Sequence, residues 1–336
     1  MREGNYRLPN VKKHRLYDPH VVIIGAGASK AACPIDKNGK AVPVLRNVHE
    51  VLGLKNTIEM YGFSKEELAD FEVLFSNIYG KPQYEELQRE LESAVRDYFQ
   101  SLCITDGPTL YDYLILSLTE KDAIISFNWD PFLIQAYRRN IDVGNLPQLF
   151  FPHGNTGVGL CYDCHIKGYA KCLCPKCFSP LTDMKLLYPV GKKNYSDGDI
   201  IQNEWSGARS FLNHAAGITI FGYSAPETDA EAYNLLKNSY SKSNITTIAP
   251  FTIINLKQNE TEQKAKWADI YDKHMLQYTD SFKDTILWSW PRVSLETLFD
   301  AILQQQPRDN NKSFRDFETL EELQAFVKTI TEFDMA

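Results

Sequence analysis

Four consecutive apolar residues, Val21-Val22-Ile23-Ile24, run directly into Gly25-Ala26-Gly27-Ala28-Ser29. This pairing predicts a buried strand that turns through glycines into a helix start. An apolar run without polar alternation suits a strand covered on both faces, as in a parallel sheet between helix layers. Glycines let a ligand approach the backbone closely, and the N–H groups and dipole of a helix start suit a phosphate. The third glycine of the dinucleotide fingerprint is absent and Lys30 stands near its place, so a tight turn without a ligand is the competing reading.

Similar short runs recur at Ala123–Phe127, Gln148–Pro152, Ile218–Phe221 and Thr252–Leu256, with helical patterns between several of them. Ser64-x2-Glu67 forms a capping box, and Tyr84, Leu87, Leu91, Val95, Phe99 and Leu102 make an apolar stripe at helical spacing. The expected fold is α/β: a doubly wound, Rossmann-like parallel sheet with a helical insertion, a small zinc-ribbon module and C-terminal helices. The expected division is an N-terminal arm over 1–20, a nucleotide-binding domain over 21–284 and a C-terminal helical extension over 285–336. Within the domain, 40–120 is the helical insertion and 156–190 the zinc module. In the extension, Ser294 is expected to cap a helix carrying Leu295, Leu298, Phe299, Ile302 and Leu303. Thr319-x2-Glu322 boxes another, with Leu320, Leu323, Phe326, Val327 and Ile330. Such stripes either bury against the core or form an oligomer or partner interface.

A net charge of −7 argues against a strongly electrostatic grip on nucleic acid or anionic lipid, and the single short basic cluster Lys12-Lys13-His14-Arg15 does not alter this. No run approaches the ~20 apolar residues that span a bilayer, and no secretory signal is evident. Neither a membrane nor direct nucleic-acid binding is therefore expected, and the expected location is cytoplasmic. Seven cysteines, five of them within Cys161–Cys177, do not resemble a dispersed disulfide framework. Cys161-x2-Cys164 and Cys174-x2-Cys177 each suit one side of a tetrahedral zinc as thiolates. Cys172 and His165 are competing ligands. With all four positions filled by protein, the metal is structural.

Asn128, Asp130 and His153 follow two of the apolar runs, in Phe127-Asn128-Trp129-Asp130 and Pro152-His153-Gly154. Carboxyl ends of strands are where open α/β sheets bind ligands. Asn, Asp and His gathered there can orient a sugar and move a proton. Gly222 and Ser224 after one further run, and Asn255 near the end of another, extend this row of strand ends, across which a nucleotide fits.

The order of these motifs resembles the sirtuin family over roughly Val21 to Leu256. The resemblance rests on the GAGxS turn, the Asn-x-Asp, the His-Gly, two Cys pairs, a Gly-x-Ser strand end and an Ile-Asn strand end. It implies an NAD-binding domain with a small zinc module, and scission of the nicotinamide–ribose bond. By the same resemblance, Ala26, Gly27 and Ser29, within the turn Gly25 to Ser29, lie against the pyrophosphate. Asn128 and Asp130 sit at the nicotinamide ribose, and His153 is the general base. Ser224 is on the phosphate side, Asn255 at the adenosine ribose, and Cys161, Cys164, Cys174 and Cys177 hold zinc.

Departures from the family concentrate in its peptide-binding half. The Gly-Ile-Pro-Asp-Phe-Arg of deacylases is matched only by Cys33-Pro34-Ile35-Asp36, the Gln before Asn is Phe127, and Leu187-Tyr188-Pro189-Val190-Gly191-Lys192 replaces Val-x-Phe-Gly-Glu. The chain in this respect is similar to bacterial sirtuin-like proteins that hydrolyse NAD in antiphage defence. The expected activity is NAD hydrolysis to nicotinamide and ADP-ribose, with NAD as substrate and zinc as structural metal. A defence partner protein, or self-assembly through the C-terminal helices, is expected with it. The alternatives are an NAD-dependent protein deacylase and a non-catalytic NAD or ADP-ribose sensor acting through a partner.

Overall fold

The computed structural model describes residues 18–44, 47–64, 67, 69–188, 199–226, 229–240, 249–270, 276–303 and 312–334. Most of the expected arm, residues 189–192 of the segment that departs from the deacylases, and residues 304–311 lie outside the described residues.

Six strands make one parallel sheet: β1 (His20–Ile24), β2 (Ala123–Ser126), β3 (Gln148–Phe150), β7 (Gly217–Phe221), β8 (Phe251–Ile254) and β9 (Leu276–Thr279). Their order is β3-β2-β1-β7-β8-β9. The sheet thus grows outward in both directions from β1, and the crevice at the carboxyl ends of β1 and β7 is the switch point where doubly wound sheets take ligands. Every residue of β1, β2, β7 and β8 is buried, as their mainly apolar sequences require, including the polar His20, Ser126, Thr219 and Thr252. The doubly wound fold is therefore as expected, with β1 beginning at His20, one residue inside the expected arm.

In the insertion, the helix Glu85–Gln100 buries Leu87, Leu91, Val95 and Phe99 at helical spacing. Ser64 and Glu67 exchange the two bonds of a capping box: Glu67 Oε2 accepts from the Ser64 N–H at 2.9 Å, and Ser64 Oγ from the Glu67 N–H at 3.2 Å. A second sheet of order β5-β4-β6 is antiparallel, from β4 (Val158–Cys161), β5 (Ile166–Tyr169) and β6 (Thr182–Asp183). Lys167 on β5 fastens this ribbon to the main sheet, donating to Leu149 O at 2.8 Å and to both carboxylate oxygens of the buried Glu204. Glu204 in turn accepts from the Phe151 N–H at 2.7 Å, just ahead of His153.

Most of the C-terminal stripe residues pack inward, while Ile302 stays exposed. Phe314, Leu323 and Val327 join the main core, and Tyr113 packs against Trp288 and Phe314 with ring centroids 4.9 and 5.2 Å away. Leu295 and Phe299 form a smaller cluster with Ala216. Thr319 and Glu322 make the expected box, Glu322 N–H donating to Thr319 Oγ1 at 3.2 Å. Ser294 differs from expectation: it is the first residue of the helix Ser294–Leu303, and its hydroxyl bonds the His20 ring at 3.2 Å instead of capping. No helix among the described residues is long and apolar enough to cross a membrane.

Candidate functional site

The turn after β1 is built against the turn after β7. Gly25 N–H donates to Phe221 O at 3.1 Å and Gly27 N–H to Gly222 O at 3.0 Å. A Cβ on Gly25 would lie 2.6 Å from Tyr223 Cα, and one on Gly27 would lie 2.9 Å from Gly222 Cα. Gly222 itself has φ +59°, and a Cβ there would meet Ala28 N at 2.2 Å. Glycine is required at all three places because backbone touches backbone. Two of the turn's N–H groups are consequently directed at carbonyls at and just after the end of β7, so what the turn offers a ligand is close approach.

Asn128 follows β2 and faces this turn. Its amide nitrogen lies 2.8 Å from Gly25 O, 2.9 Å from Ser29 Oγ and 3.2 Å from the Tyr111 hydroxyl. Gly25 O can only accept, so the NH2 end is assigned to that side, and the side-chain carbonyl oxygen points the other way. Asn155 braces the loop from below, donating to Asn128 O at 3.1 Å and Asp130 O at 2.7 Å.

Asp130 is buried. One carboxylate oxygen accepts from Ser29 Oγ at 2.6 Å, and the other from the Phe132 N–H at 3.2 Å, at the start of the helix Phe132–Arg139. Burial raises its pKa to about 6, outweighing the Ser29 and Phe132 hydrogen bonds, which favour the charged form. Ser29 Oγ also meets the Tyr111 hydroxyl at 2.6 Å. Asn128, Ser29, Tyr111 and Asp130 therefore form one buried polar cluster. Tyr111 lies in a helix of otherwise mainly apolar residues, Leu110–Leu116, and nothing in that run marks it as more than core.

His153 follows β3 and is also buried. Its ring meets Phe127 edge-on at 4.8 Å, and its Nε2 lies 3.7 Å from Asp229 Oδ1. Gly154 has φ +78°, and a Cβ there would come within 2.0 Å of Lys185 O. That contact explains why glycine follows the histidine. The His153 carbonyl accepts from the Leu187 N–H at 2.9 Å.

Gly25, Ala26, Gly27, Asn128, Asp130, His153, Gly222, Ser224 and Asn255 all line one cavity of about 650 Å³. Ala28 and Ser29 are fully buried and do not line it; Ser29 acts beneath the surface through Asp130 and Tyr111. Phe127, Trp129, Leu187, Tyr223 and Asp229 complete the walls around His153 and Asn128. Asn255 stands at the far end, its Oδ1 accepting from the Leu256 N–H at 2.8 Å and from Asn259 Nδ2 at 3.1 Å.

In the ribbon, the sulfurs of Cys161, Cys164, Cys174 and Cys177 lie within 4.8 Å of one another, with Cys161 and Cys177 3.6 Å apart. A tetrahedral zinc with Zn–S bonds of about 2.3 Å places its sulfurs roughly 3.8 Å apart, so the four fit that ion. Cys172 and His165 are outside this group. His165, Lys171 and Phe178 all have positive φ, which marks tight turns beside the cysteines.

The molecule is thus an α/β protein of the doubly wound class, with a nucleotide-sized cavity at its switch point and a four-cysteine zinc ribbon. No protein-family model matches the chain, and none of the curated proteins does. Among solved structures, it is similar to a Sir2 homologue in complex with NAD, at 15% identity and TM-score 0.39 over 84% of this chain and 90% of that one. It is also similar to a Sir2 protein in complex with an inhibitor, 2′-O-acetyl-ADP-ribose and a deacetylated peptide, at 15% identity and TM-score 0.38, over 85% of this chain and 94% of that one.

Proposed function

We propose that this protein hydrolyses NAD, breaking the bond between nicotinamide and ribose to release nicotinamide and ADP-ribose. The observation that carries this reading is the convergence of Asn128, Asp130 and His153 on one cavity whose floor is the glycine junction between β1 and β7. The dinucleotide lies across the strand ends, its pyrophosphate over Gly25 to Gly27 and beside Ser224, and its adenosine ribose at Asn255.

Loss of nicotinamide leaves oxocarbenium character on the ribose. Asp130, with a pKa of about 6, is ionised at neutral pH and stabilises that charge from a site largely shielded from water. Asn128, its NH2 end committed to Gly25 and Ser29, presents the carbonyl oxygen as the acceptor that orients a water or a ribose hydroxyl. Water forms the new bond to the anomeric carbon, the C–N electron pair leaves with nicotinamide, and His153 takes the proton released by the water.

The proposal extends to a cytoplasmic antiphage effector, supported by the departures noted in the peptide-binding half. Phe127, where deacylases carry Gln, stacks on Tyr223 at 4.7 Å and presses on His153, making that wall apolar. Self-assembly or a partner would engage the outer faces of the C-terminal helices, where Ile302 is exposed, since Leu295, Phe299, Leu323 and Val327 are taken up by the core. Zinc holds the ribbon and takes no part in the chemistry. The test is incubation with NAD, with and without an acetylated peptide, followed by mass-resolved chromatography. Nicotinamide and ADP-ribose without peptide support hydrolysis. O-acetyl-ADP-ribose formed only with peptide assigns a deacylase, and binding without turnover assigns a sensor.

A further inference from the structure

Asp229 lies outside the strand-end motifs of the site, yet it is buried against the proposed base. Its Oδ1 lies 3.7 Å from His153 Nε2, and its Oδ2 accepts from the Tyr223 hydroxyl at 3.3 Å. Its backbone is held by donation from Asp229 N–H to Pro226 O at 2.8 Å. Tyr223 stacks on Phe127, and Phe127 packs on His153, so the ring, the phenol and the carboxylate hold one another. Trp205 closes the other side of the ring at 6.0 Å and donates its indole N–H to Pro152 O at 3.1 Å. Phe127 and Trp205 carry no titratable group; among the described residues Asp229 is the carboxylate paired with the ring, Tyr223 reaches it through Phe127 and Asp229, and Lys30, Glu72, Asp130 and Asp280 are the other charged groups that line the same cavity.

We infer that Asp229 is a positioning residue for His153, orienting the imidazole through Nε2 and steadying the charge it gains on accepting a proton. The inference rests on the hydrolytic reading above. A carboxylate at ion-pair distance favours the imidazolium, and in resting structures such contacts are longer than in the reacting complex. Asp229 is part of the cavity wall, but in this role it acts through the imidazole, so its effect is expected to fall on kcat and to leave substrate affinity in place.

The experiment compares the full chain with Asp229→Asn and Asp229→Glu. In Asp229→Asn, kcat for NAD cleavage falls by about 10- to 100-fold with KM within about twofold, and the acidic limb of the kcat profile moves to lower pH. The pH at which the His153 ring titrates by NMR falls by about 1 unit. Asp229→Glu restores most of both. An unchanged ring titration and an unchanged kcat overturn the inference while NAD hydrolysis stands. A parent chain that leaves NAD intact overturns the hydrolytic reading and the catalytic role with it, and the ring titration then tells separately whether the pairing exists.

Discussion

Asn128 donates its side-chain amide to the carbonyl oxygen of Gly25 at 2.8 Å, joining the loop after β2 to the turn after β1. The same nitrogen lies 2.9 Å from Ser29 Oγ, which donates to Asp130, so one side chain fixes its own carbonyl oxygen and helps seat the neighbouring carboxyl. Replacing Asn128 with Ala removes the acceptor from the cavity and leaves buried Gly25 O without that donor. NAD cleavage is expected to fall at least ~100-fold, with a stability loss of about 1–3 kcal/mol. Product analysis and thermal unfolding check both, and zinc content is expected to stay at the parent value.

Gly222→Ala puts a methyl where Ala28 N already sits, at 2.2 Å, on a residue with φ +59°. Steric overlap and a left-handed backbone both oppose the change, at an expected cost of about 2–4 kcal/mol. A lowered Tm is the expected result, together with loss of the Tm increase expected of the parent at saturating NAD. An unaltered Tm would mean that the two turns are not in contact.

The pH dependence of stability separates into two opposing groups. Asp130 has its folded pKa raised from 3.8 to about 6 by burial, so the folded chain holds that proton more tightly than the unfolded one. Its contribution is greatest below the unfolded value and is lost as pH rises through the folded value, by about 3 kcal/mol in all. His20 behaves oppositely: burial lowers its pKa from 6.5 to about 4, so its contribution is present above the unfolded value and lost as pH falls through the folded one. The two nearly cancel in the parent between about pH 4 and pH 6. In Asp130→Asn the cancellation ends, and unfolding free energy, measured by denaturant titration across that window, is expected to rise more steeply with pH than in the parent.

The ribbon depends on its metal. Elemental analysis is expected to find one zinc per chain, and Cys174→Ser, which removes a fully buried thiolate, to lose most of it, since a structural tetrahedral site does not tolerate a missing ligand. Because Lys167 ties β5 to Leu149 O and Glu204, and Glu204 holds Phe151, the loss is expected to reach His153. NAD cleavage should fall along with zinc content during chelation, and recover when zinc is returned.

The strands that were legible in the sequence are those whose burial demands a mainly apolar run, as in β1, β2, β7 and β8, and the short edge strand β3 showed through its apolar Leu149 and Phe150. β9 was not legible, because Leu276-Gln277-Tyr278-Thr279 is half-buried at a sheet edge and mixes polar with apolar residues. The candidate site was legible wherever a polar residue or glycine sits directly at a strand end, as at Asn128, His153 and Gly222. Tyr111 and Asp229 escaped for opposite reasons. Tyr111 is embedded in the mainly apolar helix Leu110–Leu116, and Asp229 in a polar connection, and only the folded chain brings one to Ser29 and the other to His153. Ser294 shows the limit of a capping signal: its hydroxyl was claimed by a buried histidine from the other end of the domain.

The floor beneath the candidate nucleotide site is main chain resting on main chain, Gly25 and Gly27 against Gly222. A surface without side chains has no rotamers to rearrange and no residue whose exchange would reshape it gradually. Diversification of this scaffold is therefore confined to its walls, where Phe127, Trp129 and Leu187 stand. A descendant with a new preference would keep the same glycines and differ in the aromatic residues above them.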